Sequence, residues 1–124
     1  MRRVRVVLVE DNDVFREALE LLLGMRADVE IAASVGDGAA AVSAAVEHRP
    51  DVVLMDYRMP GMDGIQATTQ VVEALPGVAV VALTASADAA ERDALVEAGA
   101  VACLTKDQEL EEIVAAILDA AAVA

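Results

Sequence analysis

Four places along the 124-residue chain carry side chains able to do chemistry together. Glu10 and Asp11 follow the apolar run Val4–Val9. Asp56 follows Val52–Met55, Thr84 follows Val78–Leu83, and Lys106 comes just after Val101–Leu104. Each sits where a short apolar run stops, and runs of that length bounded by turn signals read as buried strands. A carboxylate at the mouth of such a strand is a candidate nucleophile or metal ligand. It is also what an ordinary turn residue looks like, and the stretch around Asp56 alone does not separate the two.

The elements between these groups decide whether they meet. Val4–Val9 is apolar except at Arg5, the pattern of a strand covered on both faces. Asn12 or Asp13 can cap a helix running to about Met25, with Val14, Phe15, Ala18, Leu19 and Leu22 at helical spacing. Val29, Ile31, Ala33 and Val35 alternate with more polar or smaller residues and predict a half-exposed edge strand. Gly36-Asp37-Gly38 reads as a turn and cap before an alanine-rich helix ending near His48. Residues 51–55 form the third strand; Pro60-Gly61 suits a type II turn, and Asp63 caps the next helix. Ile65, Thr68, Val72 and Leu75 mark that helix's inward stripe, and Pro76-Gly77 stops it. Residues 78–83 form a fourth strand, and a helix from about Ala87 to Ala98 is closed by Gly99. Residues 101–104 form the fifth strand, and Asp107 caps a final helix with Glu109, Glu111 and Glu112 in its first turns.

Five strands alternating with five helices predict an α/β domain, a parallel sheet with helices on both faces. All strand ends then lie on one rim. In the order 2-1-3-4-5 the first and third strands flank the switch point where ligands bind. Topology thus gathers Glu10, Asp11, Asp56, Thr84 and Lys106 into one patch. Three clustered carboxylates repel one another and call for a cation, and oxygen-only ligands suit magnesium rather than zinc or copper. Magnesium beside a lysine stabilises a transferring phosphoryl group. An ionised aspartate can attack phosphorus without a general base, and Thr84 can hydrogen-bond a phosphoryl oxygen.

Composition narrows the classes. With 22 acids against 9 bases the net charge is -13, which repels nucleic acid and anionic lipid, since the bases are scattered. Phe15 and Tyr57 are the only aromatics, too few for a flavin or base-stacking platform. No apolar run reaches the ~18 residues of a membrane span and none reads as a signal peptide, so a cytoplasmic location is expected. The single cysteine, Cys103, has no internal partner and reads as a structural residue rather than a redox thiol. The single histidine, His48, reads as a basic residue near a helix C-terminus.

Over residues 3–122 the chain resembles the receiver domain of bacterial two-component response regulators. The resemblance rests on Glu10-Asp11, on Asp56 within Met-Asp-x-x-Met-Pro-Gly-Met-Asp-Gly, on Thr84 and on Lys106. It implies a flavodoxin-like, doubly wound five-stranded sheet forming one domain over residues 1–124, without a DNA-binding output domain. Asp56 would be the phosphoacceptor for a sensor histidine kinase. Mg²⁺ or Mn²⁺ would be held by Asp11, Asp56 and the backbone carbonyl of Arg58, with Glu10 helping through water. Thr84 would be the switch hydroxyl, and Lys106 would pair with the phosphoryl group. Such a domain is a switch rather than an enzyme. It can homodimerise, does not engage membrane, and reaches DNA only through a downstream domain. The Leu-Thr-Lys-Asp ending and the Met-Pro-Gly-Met-Asp-Gly loop are similar to receivers of LuxR-type transcriptional regulators. Two departures stand out. Cys103 occupies the position of the usual switch aromatic, and Asp107 follows the lysine where proline is common, so no cis peptide is expected there. A receiver-like interaction module that takes no phosphate would be expected to lack one of these five groups. Phosphohydrolases resembling haloacid dehalogenases need an acid where this chain has Arg58.

Overall fold

The computed structural model describes residues 3–57, 63–85 and 88–123. Strands β1 (Val4–Val9), β2 (Val29–Val35), β3 (Val52–Asp56), β4 (Ala79–Thr84) and β5 (Ala100–Thr105) alternate with five helices. These are α1 (Asp13–Gly24), α2 (Gly38–His48), α3 (Gly64–Ala74), α4 (Ala89–Ala98) and α5 (Leu110–Val123). All strand pairs are parallel and the sheet order is β2-β1-β3-β4-β5. This is the doubly wound architecture that the alternating pattern predicts, and β2 lies at an edge.

Each central strand is apolar through its middle because its alternate residues face two different helix layers. Val6, Leu8, Leu54, Val81 and Leu83 pack with Leu19 and Leu23 of α1 and Ile113 and Ile117 of α5. Val7, Val9, Val53, Met55, Val80 and Ala82 pack with Ala41 and Ala45 of α2, Ala67 and Val71 of α3, and Leu95 of α4. Burying a leucine as completely as Leu54 is worth about 2–3 kcal/mol, and such contacts hold the strand ends in place.

The caps follow the sequence closely. Asn12, rather than Asp13, caps α1, and Asp37 caps α2. Asp63 caps α3 in a reciprocal box with Gln66. His48 lies in the last turn of α2, as expected of a basic residue, and Arg49 closes that helix in the left-handed region at φ 47. Gly99 closes α4 at φ 120, where a Cβ would also approach Val72 Cγ2 at 2.9 Å. No cis peptide occurs among the described residues.

Some expectations shift. The buried face of α1 carries Leu19 and Leu23, whereas Val14, Ala18 and Leu22 are exposed. Apolar residues cover most of this helix, so periodicity could not say which side turns inward. On α3 the buried residues are Gly64, Ala67, Thr68 and Val71, with Ile65, Val72 and the following Leu75 half-buried; small side chains let this helix approach the sheet. Helix α4 begins at Ala89 behind Asp88, whose side chain accepts from the Glu91 amide. Asp107 does not cap α5. It accepts from the Thr105 hydroxyl, Gln108 Oε1 takes the Thr105 amide at 2.9 Å, and the Glu112 and Ile113 amides of α5 bond to the Glu109 carbonyl. The expected Pro60-Gly61 turn lies outside the described residues.

Candidate functional site

Register builds the site. Val9 pairs with Met55, so one step further along the two strands Glu10 comes beside Asp56. Asp56 pairs with Leu83, and Thr84 pairs with Thr105. The Lys106 amide then donates to the Thr84 carbonyl at 2.8 Å, which locks the lysine to the strand that carries the hydroxyl. The Gly64 amide donates to the Tyr57 carbonyl at 2.7 Å, and a Cβ on Gly64 would lie 2.5 Å from the Asp56 carbonyl oxygen. Only glycine allows α3 to start this close to β3.

Glu10 and Asp56 are almost fully buried, at 0% and 2% exposure, while Asp11 is exposed. The three carboxylates offer oxygens within 4.8 Å of one another. Lys106 Nζ lies 2.7 Å from Glu10 Oε1 and 3.2 Å from Asp56 Oδ1, and Glu10 Oε2 also accepts from the Asn12 amide at 3.0 Å. Burial first, then the neighbouring Glu10 and Asp11 carboxyls, push the Asp56 carboxyl up to about 7, against the opposing pull of Lys106. Lys106 itself is raised: its carboxylate partners outweigh its burial.

Sequence reasoning missed three neighbours. The Phe15 ring centroid lies 5.1 Å from Lys106 Nζ, close enough for cation–π attraction. Arg16 donates to the Glu10 carbonyl at 2.8 Å and pairs with Asp13 at 2.9 Å. Thr84 is buried and its hydroxyl donates to Glu91 Oε2 at 3.3 Å. The pattern Asp88-x-x-Glu91 signals a helix start, but nothing local tells that Glu91 reaches back to the strand. Arg58, whose carbonyl was expected at the metal, lies outside the described residues. Cys103 is half-buried beside Ala82, and burial raises its thiol, the environment of an inert cysteine rather than a reactive one.

Residues 6–118 match the response regulator receiver domain family. The chain belongs to that family. Transcriptional regulatory protein LiaR of Bacillus subtilis is 39% identical over 114 residues, covering 92% of this chain and 54% of that protein. The signal receiver domain of NarL from Mycobacterium tuberculosis superposes with a TM-score of 0.92 at 37% identity, covering 98% of each chain. A LuxR-family two-component response regulator from Aurantimonas sp. SI85-9A1 gives a TM-score of 0.92 at 30% identity, covering 97% of this chain and 86% of that one. This receiver is thus similar to regulators of the LuxR and NarL type, and it spans about half the length of the curated relatives it matches.

The receiver's acidic group fits a hard divalent cation. Its donors are all carboxylate oxygens, and one ammonium among three carboxyl groups leaves excess negative charge once Asp56 ionises. No described helix is long and apolar enough to cross a membrane.

Proposed function

We propose that residues 1–124 act as one phosphorylation-driven switch. In this reading Asp56 takes a phosphoryl group from the phosphohistidine of a sensor histidine kinase. An Asp56 carboxylate oxygen attacks phosphorus, the P–N bond breaks, and the imidazole nitrogen leaves with the bonding electron pair. Asp11 and Asp56 would hold Mg²⁺ or Mn²⁺ with the Arg58 carbonyl, and Glu10 would assist through water. When bound, the cation supplies the positive charge that lets an anionic donor approach buried carboxylates. Lys106, already bridging Glu10 and Asp56, is placed to exchange a carboxylate partner for a phosphoryl oxygen. Thr84, on the adjoining strand, is the hydroxyl that would donate to the phosphoryl group. The domain takes part in its own phosphoryl transfer and otherwise serves as a switch, not as a catalyst for a separate substrate. Control of transcription would run through a DNA-binding output domain or partner, in the cytoplasm, with homodimerisation as one means of readout.

The observation that carries this reading is the bridge of Lys106 between buried Glu10 and buried Asp56, with the Asp11 carboxylate within 4.8 Å. Intact-mass measurement after incubation with acetyl phosphate and Mg²⁺ tests it. One phosphate should be added, none with chelator, and none to Asp56→Asn; undiminished labelling of that variant would refute the assignment.

A further inference from the structure

The Thr84 hydroxyl donates to Glu91 of α4. Glu91 is well placed for this. Its amide is held by the Asp88 cap at 2.8 Å, which anchors the backbone of the first turn while the side chain reaches back to β4. The bond, at 3.3 Å, is long for a hydroxyl donor and therefore weak. A threonine hydroxyl has one proton to give. It cannot serve Glu91 and a phosphoryl oxygen at once.

We infer that Glu91 is a positioning residue that holds the Thr84 hydroxyl in the unphosphorylated state and competes with the phosphoryl group for its single proton. The inference rests on the proposed role of Thr84 and gives that role a counterpart on α4. Phosphorylation withdraws the proton from Glu91, and the first turn of α4 loses this tie to β4. The same exchange links the site to a helix surface without an aromatic at position 103, where the chain has the short Cys103. Any ligand that takes the hydroxyl weakens the Glu91 contact. By linkage, removing the Glu91 acceptor must favour the ligand by the same factor.

The test titrates the chain with beryllofluoride and Mg²⁺, read by the fluorescence of Tyr57, its only tyrosine. Glu91→Ala should bind the mimic about threefold to tenfold more tightly, the effect of losing one weak competing hydrogen bond. Glu91→Gln, which keeps an acceptor oxygen, should show less than half of that gain. In a Thr84→Ala background Glu91→Ala should change nothing, because the coupling runs through the hydroxyl. An equal gain in Glu91→Gln, or a gain that persists without the hydroxyl, would mean that the carboxylate acts by charge alone and would overturn the inference. So would an unchanged affinity in Glu91→Ala. Hydrogen exchange in metal-free protein supplies an arm independent of the phosphoryl mimic. Glu91→Ala and Thr84→Ala should each speed exchange of the amides of residues 89–92, and the double variant should be no faster than either. Failure of wild type to bind the mimic would count against the phosphoacceptor reading, while additive exchange effects would count against the latch.

Discussion

Asp56 is held at a cost that its neighbours only partly offset. Its unfolded carboxyl loses its proton near pH 4, whereas in the fold burial, then Glu10 and Asp11, keep the proton on until about 7. A raised carboxyl contributes stability that is fully present below the unfolded value. It is lost progressively as pH rises from the unfolded to the folded value, because over that window the native state alone holds the proton. Metal-free protein should therefore lose on the order of a few kcal/mol between about pH 4 and pH 7 from this group. Asp56→Asn removes the dependence. Its melting temperature should exceed that of wild type at pH 8 and fall to parity or below at pH 4, read by thermal denaturation in chelator. Equal shifts at both pH values would show that Asp56 is not the source. Lys106 works in the opposite sense. Lys106→Met strips Glu10 and Asp56 of their shared ammonium and leaves two buried acids facing each other, so it should lower the melting temperature at pH 8 and be relieved in acid.

At the level of elements, the approach of α3 to β3 is the tightest joint in the site. Gly64→Ala would set a Cβ 2.5 Å from the Asp56 carbonyl oxygen and 2.7 Å from Tyr57 Cα. Both are backbone atoms that cannot swing aside, so a loss of about 1–3 kcal/mol is expected, together with slower labelling of Asp56. A variant with unchanged melting temperature and labelling rate would show that the joint is looser than it looks. The same elements explain what the sequence could and could not reveal. Glu10, Asp11, Asp56, Thr84 and Lys106 are legible because each marks the end of an apolar run and one topology carries every strand end to one rim. The caps at Asn12, Asp37 and Asp63 are legible because their physics is confined to a few residues. Glu91 is not, since its partner lies on the preceding strand and is reached by a flexible side chain. Nor is the inward face of α1, where Val14, Leu21 and Met25 are as apolar as Leu19 and Leu23 yet exposed. Asp107 misleads because a threonine two residues earlier claims its side chain before any helix amide can.

Across the whole molecule, 22 acids and 9 bases make self-repulsion a general tax on the compact state. Salt should raise the melting temperature by screening. Mg²⁺ at matched ionic strength should raise it further, since binding adds about 2.7 kcal/mol of stability when its concentration is a hundred times the dissociation constant. Asp11→Ala should keep the first effect and lose most of the second, as differential scanning calorimetry in NaCl and MgCl₂ can determine. If wild type and Asp11→Ala respond to MgCl₂ alike, the cation acts on the general charge and not on the acidic group.

Arg3 and Val4, at the start of the sheet, share a hollow with Leu118, Ala121 and Ala122 of α5, on the rim opposite the carboxylates. Residues 3 and 122 are therefore near enough for a short flexible linker to join them. The exposed Pro76-Gly77 turn lies on that same far rim and offers a place to open the chain anew. Such a circular permutant would begin with β4 and finish with α3, yet every strand would remain whole and every strand end would still reach the same edge. It should fold and be labelled on Asp56 at close to the native rate, because what the site needs from the chain is the order of strands in space and not their order of synthesis.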